Sequence, residues 1–368
     1  MTQSSYKAIL IIAFVSLAGA VLTYFAGALQ GTGPLLVAGL LALALGMRGY
    51  EKLKAFSYPT VIFAMVAGGM FYPQYLVQMG DFKFSKLIIP LLQVIMFGMG
   101  TTMTFHDFVG IVKTPRAVII GICCQFLIMP FLGFGIAQVF NFPTEIAAGI
   151  ILIGSSPSGL ASNVMSLIAK ANVALSITIT SFATMLAPLL TPLLMKWLGG
   201  QYIEIQFWGM MWDIVKIIII PIGLGFIIHQ YFKSLAKALQ RYLPMISMVG
   251  IALIILIITA AGQKSLLNVG GLLLLAVLIH NLGGFILGYS AARLFRMPEQ
   301  DCRTVALEVG LQNGGLAAGL ASQMGKIATV GLAPAIFISL MNVTGSILAG
   351  WWGAERDKKS KAAESASL

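Results

Sequence analysis

A chain of 368 residues that is 58% hydrophobic and only 10% charged, with a mean hydropathy of +0.93, cannot cover a soluble surface. Soluble domains carry about 25% charged residues, so lipid must be the solvent for most of this chain. The formal net charge of +11 does not point to nucleic acid, because the basic residues are scattered between apolar runs rather than gathered on one motif.

A spanning helix needs about 20 apolar residues, within a range of roughly 17–25. Breaks at charges, Pro and Gly give twelve candidates: 7–29, 33–48, 58–74, 86–104, 115–139, 145–169, 172–197, 207–231, 243–261, 268–294, 300–324 and 329–352. The first is too long for the apolar core of a signal peptide and lacks a persuasive cleavage site, so it is kept as a span. The second and third are short, and a ten-helix reading with 1–50 lying partly in the interface is the fallback. Cys123 and Cys124 sit in the fifth segment and Cys302 in the eleventh. They have neither CxxC nor zinc spacing, and the first two read as small hydrophobes.

Twelve spans put 17 Lys and Arg residues on one side of the membrane and five on the other (Lys83, Lys86, Lys196, Lys264 and Lys326), with Lys216 inside a span. The positive-inside rule then makes both termini cytoplasmic and the protein a multi-pass cell (inner) membrane protein. The basic stretch Arg356–Lys361 reads as a solvated flank of the same kind.

An internal repeat follows the same segments. Gln125, Gly133, Phe140 and Pro143 recur as His280, Gly288, Phe295 and Pro298, offset by 155. Pro157-Ser158-Gly159-Leu160-Ala161 recurs as Asn313-Gly314-Gly315-Leu316-Ala317, offset by 156, and Lys170 and Lys326 keep that offset. Each unit has five helices, 58–197 and 207–352. Five is odd, so the second copy enters the membrane upside down. The expected fold is an all-α polytopic membrane protein of two inverted five-helix repeats with crossed discontinuous helices, plus an N-terminal hairpin at 1–50 and a cytoplasmic tail at 353–368.

Gly154-Ser155-Ser156-Pro157-Ser158-Gly159 cannot continue a helix, because Pro157 lacks a donor and clashes with the preceding turn. Its repeat mate carries Gln312-Asn313-Gly314-Gly315. Two interrupted helices at corresponding positions mark a transport site, where half-helix N-termini offer N–H groups to an anion. Glu308 lies near the middle of its span, just before the second break. A lone carboxylate there costs roughly 2.5–3.5 kcal/mol and needs a cation or a proton. Its oxygen chemistry suits a hard ion such as Na⁺. Ser162 and Asn163 follow the first break, Ser176 and Thr180 share one face of the next helix, and Gln125 and Gln312 sit in apolar runs. Single Ser and Thr residues more often serve helix packing; the constellation gains weight from its place in the repeat. His280 is expected to bond within the bundle, His229 lies near a cytoplasmic end, and Asp213 and Lys216 can pair locally. HExxH, GxSxG and P-loop motifs are absent, so no enzyme is read here and gradient-driven transport is favoured. The alternatives are a proton-coupled carrier in which Glu308 titrates, and a membrane receptor without transport.

At these residues the sequence resembles the bile acid:sodium symporter family. The resemblance is carried by Met96-Phe97-Gly98-Met99-Gly100, Gln125-Phe126-Leu127-Ile128-Met129-Pro130, Pro157 through Met165, Asn172-Val173-Ala174-Leu175-Ser176 and Glu308 through Asn313, and it covers about 58–352. It implies a core domain, drawn from 86–197 and 268–352, moving against panel helices 58–74, 86–104, 207–231 and 243–261. It implies two coupling Na⁺ ions. One would be held by Ser162, Asn163, Ser176, Thr180 and Glu308, the other by Gln125, Glu308, Gln312 and the carbonyls of Val309 and Leu311. A small organic anion would bind around Ser158, Gly159, Leu160, Asn313, Met341 and Asn342; no protein partner or nucleic acid is implied. The family commonly reads Pro-Gly-Gly where this chain has Pro157-Ser158-Gly159. Some bacterial members carry Thr at the position of Leu160 and His at that of Met341, so the resemblance implies a more apolar anion than a small hydroxy-acid.

Overall fold

The computed structural model describes residues 2–105, 107 and 114–366, with side chains left out at Lys52 and 357–366. Lys113 therefore lies outside the described residues, and nothing is said of the side chains of Lys358, Lys359 and Lys361. The described chain is almost wholly helical. In order, the helices are α1 Gln3–Phe25, α2 Leu29–Met47, α3 Ser57–Phe71, α4 Ile88–Thr102, α5 Pro115–Phe140, α6 Thr144–Ser155, α7 Ala161–Ile168 and α8 Val173–Leu194. Then come α9 Phe207–Tyr231, α10 Lys233–Ala261, α11 Gln263–Leu294, α12 Glu299–Gly310, α13 Gly314–Gln323 and α14 Leu332–Ala366.

Among the described residues, nine helical segments are long and apolar enough to cross a membrane, and α3 and α6 are shorter apolar helices. The segments read as 145–169 and 300–324 are each split into two half-helices, α6/α7 and α12/α13. Among the described residues, the named strands form one hairpin, pairing Gln78–Met79 with Phe82–Lys83. Gly80 at φ +57° supplies the left-handed residue that its tight turn requires.

Helix ends depart from the expected spans where polar residues continue a helix beyond the apolar band. The segment expected at 243–261 begins at Lys233, and that expected at 268–294 begins at Gln263, leaving only Gly262 between α10 and α11. α14 runs unbroken from Leu332 to Ala366, so no change of secondary structure separates 329–352 from the tail. Hydropathy locates the edge of the lipid; backbone hydrogen bonding carries the helix past it. Within α9, a π-helical turn spans Val215–Ile219, just before Pro221. A second spans Met195–Gly199, just after Pro192. The first accommodates Pro221, which cannot donate to the preceding turn.

Packing sorts the helices into groups. α1 packs on α2 and α2 on α3. Ser57 Oγ donates to the Ala44 carbonyl at 2.7 Å across that contact. α3, α4, α9 and α10 pack on one another, and α5–α8 pack with α11–α14. In lipid, close approach of small residues does the work that water exclusion does elsewhere. A Cβ on Gly149 of α6 would stand 2.4 Å from the Val330 carbonyl oxygen. The outer face of α1 stays uncovered by protein, with Phe25 83% exposed, as a lipid-facing helix requires.

Candidate functional site

The two breaks meet. Residues 156–160 between α6 and α7 lie against 311–313 between α12 and α13, and Ser158 and Gln312 form an antiparallel bridge. Gly159 N donates to the Leu311 carbonyl at 2.9 Å, and Asn313 N to the Pro157 carbonyl at 2.7 Å. A Cβ on Gly159 would stand 2.9 Å from the Gln312 carbonyl oxygen, so the approach requires glycine.

A backbone group freed at this depth costs several kcal/mol unless it is paired. Side chains from neighbouring helices supply partners. Thr191 Oγ1 donates to the Ser155 carbonyl at 2.7 Å, and Gln125 Nε2 to that of Ser156 at 2.9 Å. Asn281 Nδ2 donates to the Gly310 carbonyl at 2.8 Å, and Gln312 Nε2 to that of Val309 at 2.6 Å. Sequence reading missed Thr191 and Asn281. Thr191 lies between Pro188 and Pro192 and looks like packing; Asn281 directly follows His280 in an apolar run, which is the signal that could have found it.

Clasps close the crossing at two places. Glu145, in the first turn of α6, pairs with Lys326 and accepts from Thr329 Oγ1, both in the chain following α13. Asp301, in the first turn of α12, accepts from Asn172 Nδ2 at 2.8 Å, in the chain following α7. Asn172 N also donates to Thr304 Oγ1 at 2.9 Å.

Glu308 is fully buried in α12. Ser176 Oγ donates to one carboxylate oxygen at 2.5 Å and Thr180 Oγ1 to the other at 2.8 Å. Asn163 Oδ1 lies 2.8 Å from the Ser176 hydroxyl and 3.3 Å from that of Thr180. Ser162 Oγ lies 3.3 Å from Thr180 Oγ1 and donates to the Gly159 carbonyl at 2.7 Å. Side-chain oxygens from α7, α8 and α12 thus gather around one carboxylate. Among the described residues its neighbours include no ion-pair partner; Lys216 pairs with Asp213 at 3.3 Å. This donor set is hard oxygen throughout, with one formal charge, which fits a small hard cation.

Of the second predicted set, Gln125 Nε2 donates to Gln312 Oε1 at 2.7 Å, and the Val309 carbonyl joins through Gln312. The Leu311 carbonyl is bonded in the bridge, and Glu308 makes no hydrogen bond to Gln125 or Gln312. Of the predicted anion residues, Gly159 lies in the bridge, Leu160 is 38% exposed, and Asn313 caps α13 by accepting from Leu316 N at 3.0 Å. Asn342 is half-buried and donates to the Ile338 carbonyl of its own helix, while Ser158 and Met341 are buried. His280 bonds the Met129 carbonyl at 2.9 Å, and His229 lies 3.1 Å from Gln240.

Two cavities adjoin α9, one against the broken helices and the other against α8. One, of about 580 Å³, is lined by Glu145, Glu204, Asp213, Gln323 and Lys326 among others. The second, of about 400 Å³, is apolar and lies between Met103, Phe105, Thr184, Met185, Ile222 and Phe226. They abut opposite halves of α9, and Thr184 stands one helical turn beyond Thr180.

A polytopic helical bundle whose matched broken helices meet around a buried carboxylate is the design of a multi-pass membrane transporter. The description "Sodium Bile acid symporter family" matches residues 89–269. The chain is 38% identical over 286 residues to an uncharacterized sodium-dependent transporter, YocS, of Bacillus subtilis (strain 168), spanning 77% of this chain and 88% of that protein. It is 32% identical over 268 residues to the probable sodium/metabolite cotransporter BASS1, chloroplastic, of Arabidopsis thaliana, spanning 73% of this chain and 67% of that protein. The chain belongs to the sodium bile acid symporter family. Its relatives are transporters, in keeping with a sequence that lacks catalytic motifs.

Proposed function

We propose that this chain is a Na⁺-coupled symporter that imports an organic anion, bile-acid-like or another carboxylate, by alternating access, with two Na⁺ ions per cycle. The observation that carries the reading is the buried Glu308 carboxylate ringed by the oxygens of Ser162, Asn163, Ser176 and Thr180. Opposite unit charges about 4 Å apart attract by about 4 kcal/mol at an effective dielectric of 20. That is enough to offset the roughly 2.5–3.5 kcal/mol that a lone carboxylate costs in a span. A cation there joins α7, α8 and α12 through one centre. The second ion would lie at Gln125, Gln312, Glu308 and the carbonyls of Val309 and Leu311, bracing the crossing from α5.

The anion is assigned to the turn at Ser158–Leu160 with Asn313 and the Met341–Asn342 edge, where α7 and α13 present the positive ends of their dipoles. Leu160 and the apolar cavity beyond Thr184 favour a substrate with an apolar body. The moving core comprises 86–197 and 268–352 without the panel helices 58–74, 86–104, 207–231 and 243–261; the hairpin 1–50 is appended and 353–368 is the tail. The exchanged clasps support two inverted repeats. Glu145 and Asp301 are separated by the same 156 residues as Lys170 and Lys326, and each clasp reaches the segment after the other repeat's second half-helix. The distribution of Lys and Arg supports cytoplasmic termini in an inner membrane.

The test is Na⁺-dependent thermal stabilisation and uptake into proteoliposomes, with wild type and Glu308→Ala, across a screen of organic anions. Wild type should respond to Na⁺ and Glu308→Ala should not. Flux driven by a pH gradient and indifferent to Na⁺ would replace this reading with proton coupling. Anion binding without any flux would make the protein a receptor.

A further inference from the structure

We propose that the Ser158 hydroxyl, placed above in the turn that receives the anion, instead serves as a further oxygen ligand of the Na⁺ ion at Glu308, leaving Gly159 and Leu160 of that turn to the anion. The inference rests on the Na⁺ reading above. Ser158 is fully buried, whereas Leu160, two residues on, is 38% exposed. An organic anion reaches the second and not the first; a monatomic ion needs no such opening. The backbone on either side of Ser158 is fixed by the bonds from Asn313 N to Pro157 and from Gly159 N to Leu311. The side chain is therefore held in the crossing and does not swing with the turn.

Its oxygen interacts with the Glu308 carboxylate. It nevertheless meets no hydrogen-bond partner of good geometry. A buried hydroxyl whose hydrogen bonding is incomplete is rare and calls for an explanation, and an ion shared with the carboxylate supplies one. The neighbouring donors are already engaged with one another: Ser176 and Thr180 with Glu308, and Ser162 with the Gly159 carbonyl. Ser158 is the polar atom on this face of the carboxylate whose bonding is left over. With Ser162, Asn163, Ser176, Thr180 and Glu308 it would bring the ligating residues to six, drawn from the first break itself and from α7, α8 and α12. Adding a hard oxygen to a cation site raises its affinity.

The experiment is a Na⁺ titration of thermal stability, with choline chloride holding ionic strength constant and no organic anion present. It compares wild type, Ser158→Ala, Ser158→Gly and Ser158→Cys. Removing the oxygen should raise the half-saturating Na⁺ concentration by about fivefold or more in all three. Cysteine fills the site with a slightly larger, soft atom while alanine and glycine empty it, so a loss common to all three separates ligation from packing. A purely structural serine would lower the Na⁺-free melting temperature and leave the half-saturation where it was. A serine of the anion site would move neither in this titration. Unchanged half-saturation in the folded variants overturns the inference while leaving Na⁺ coupling intact. A wild type that ignores Na⁺ overturns both.

Discussion

Glu308 carries the charge of the site, and its neighbours carry the geometry. Glu308→Gln keeps the shape but removes the charge, and its amide nitrogen cannot accept from one of the two hydroxyls. The half-saturating Na⁺ concentration for stabilisation should rise about tenfold or more, since each factor of ten is only about 1.4 kcal/mol of lost attraction. A variant that still responds to Na⁺ as wild type does would show that the carboxylate is not the ion's anchor. Asn281 tests support of a different kind. Its amide donates to the Gly310 carbonyl and its Oδ1 accepts from Thr344 Oγ1 at 2.5 Å. Asn281→Leu leaves a backbone acceptor stranded where α12 ends, and thermal unfolding should show a loss of about 1–2 kcal/mol. Much of this layer was legible before any coordinates: Ser162, Asn163, Ser176, Thr180, Gln125 and Gln312 stood out as polar atoms in apolar runs at matched positions. The roles of Asn281 and Thr191 were not, because each serves a carbonyl released by a break 29 and 36 residues away. Which carbonyl is released, and which side chain lies over it, is a matter of tertiary placement.

The broken helices hold together at the crossing and at the clasps, and the two contributions differ in size. At the crossing, backbone meets backbone. Gly159→Ala would press a methyl against the Gln312 carbonyl, and a backbone neighbour cannot swing aside. This substitution should separate the bridge and cut Na⁺-dependent uptake by about tenfold or more, measured against the amount of folded protein. The Glu145–Lys326 clasp is different, with side chains 33% and 38% exposed. Lys326→Met should cost under about 1 kcal/mol of stability, and the cost should shrink as NaCl or choline chloride screens the pair in the parent. The breaks themselves were written in the sequence, by Pro157 in the first broken helix and by Gln312-Asn313-Gly314-Gly315 in the second. The helix ends at Lys233, Gln263 and Ala366 were not, because the sequence reading followed the apolar band and a helix does not stop where lipid does. The Gln78–Lys83 hairpin escaped for a related reason: a short connection between two spans has little apolar pattern to read.

At the scale of the whole molecule, alternating access requires that α4 and α9 change their relation to α8 and α13 while each group stays intact. The contact between α4 and α13 is close: buried Leu92 of α4 fits against Gly315 and Gly319, where Cβ atoms would come within 2.9 and 2.5 Å of its methyls. The contact between α2 and α3, where Ser57 donates to the Ala44 carbonyl, lies away from the proposed core and need not change in the proposed cycle. In a background with Cys123, Cys124 and Cys302 replaced, Leu92→Cys/Gly319→Cys should form a disulfide on oxidation, because the substitution also removes the leucine methyls that crowd Gly319. Na⁺-dependent flux in proteoliposomes should fall to background and return on reduction. Ala44→Cys/Ser57→Cys, cross-linked in the same way, should leave flux near that of the reduced protein. If the α4–α13 cross-link forms fully and transport continues at the reduced rate, the two groups do not move against each other at this contact. The cavities at the two halves of α9 would then have to open and close by rearrangement within a group instead.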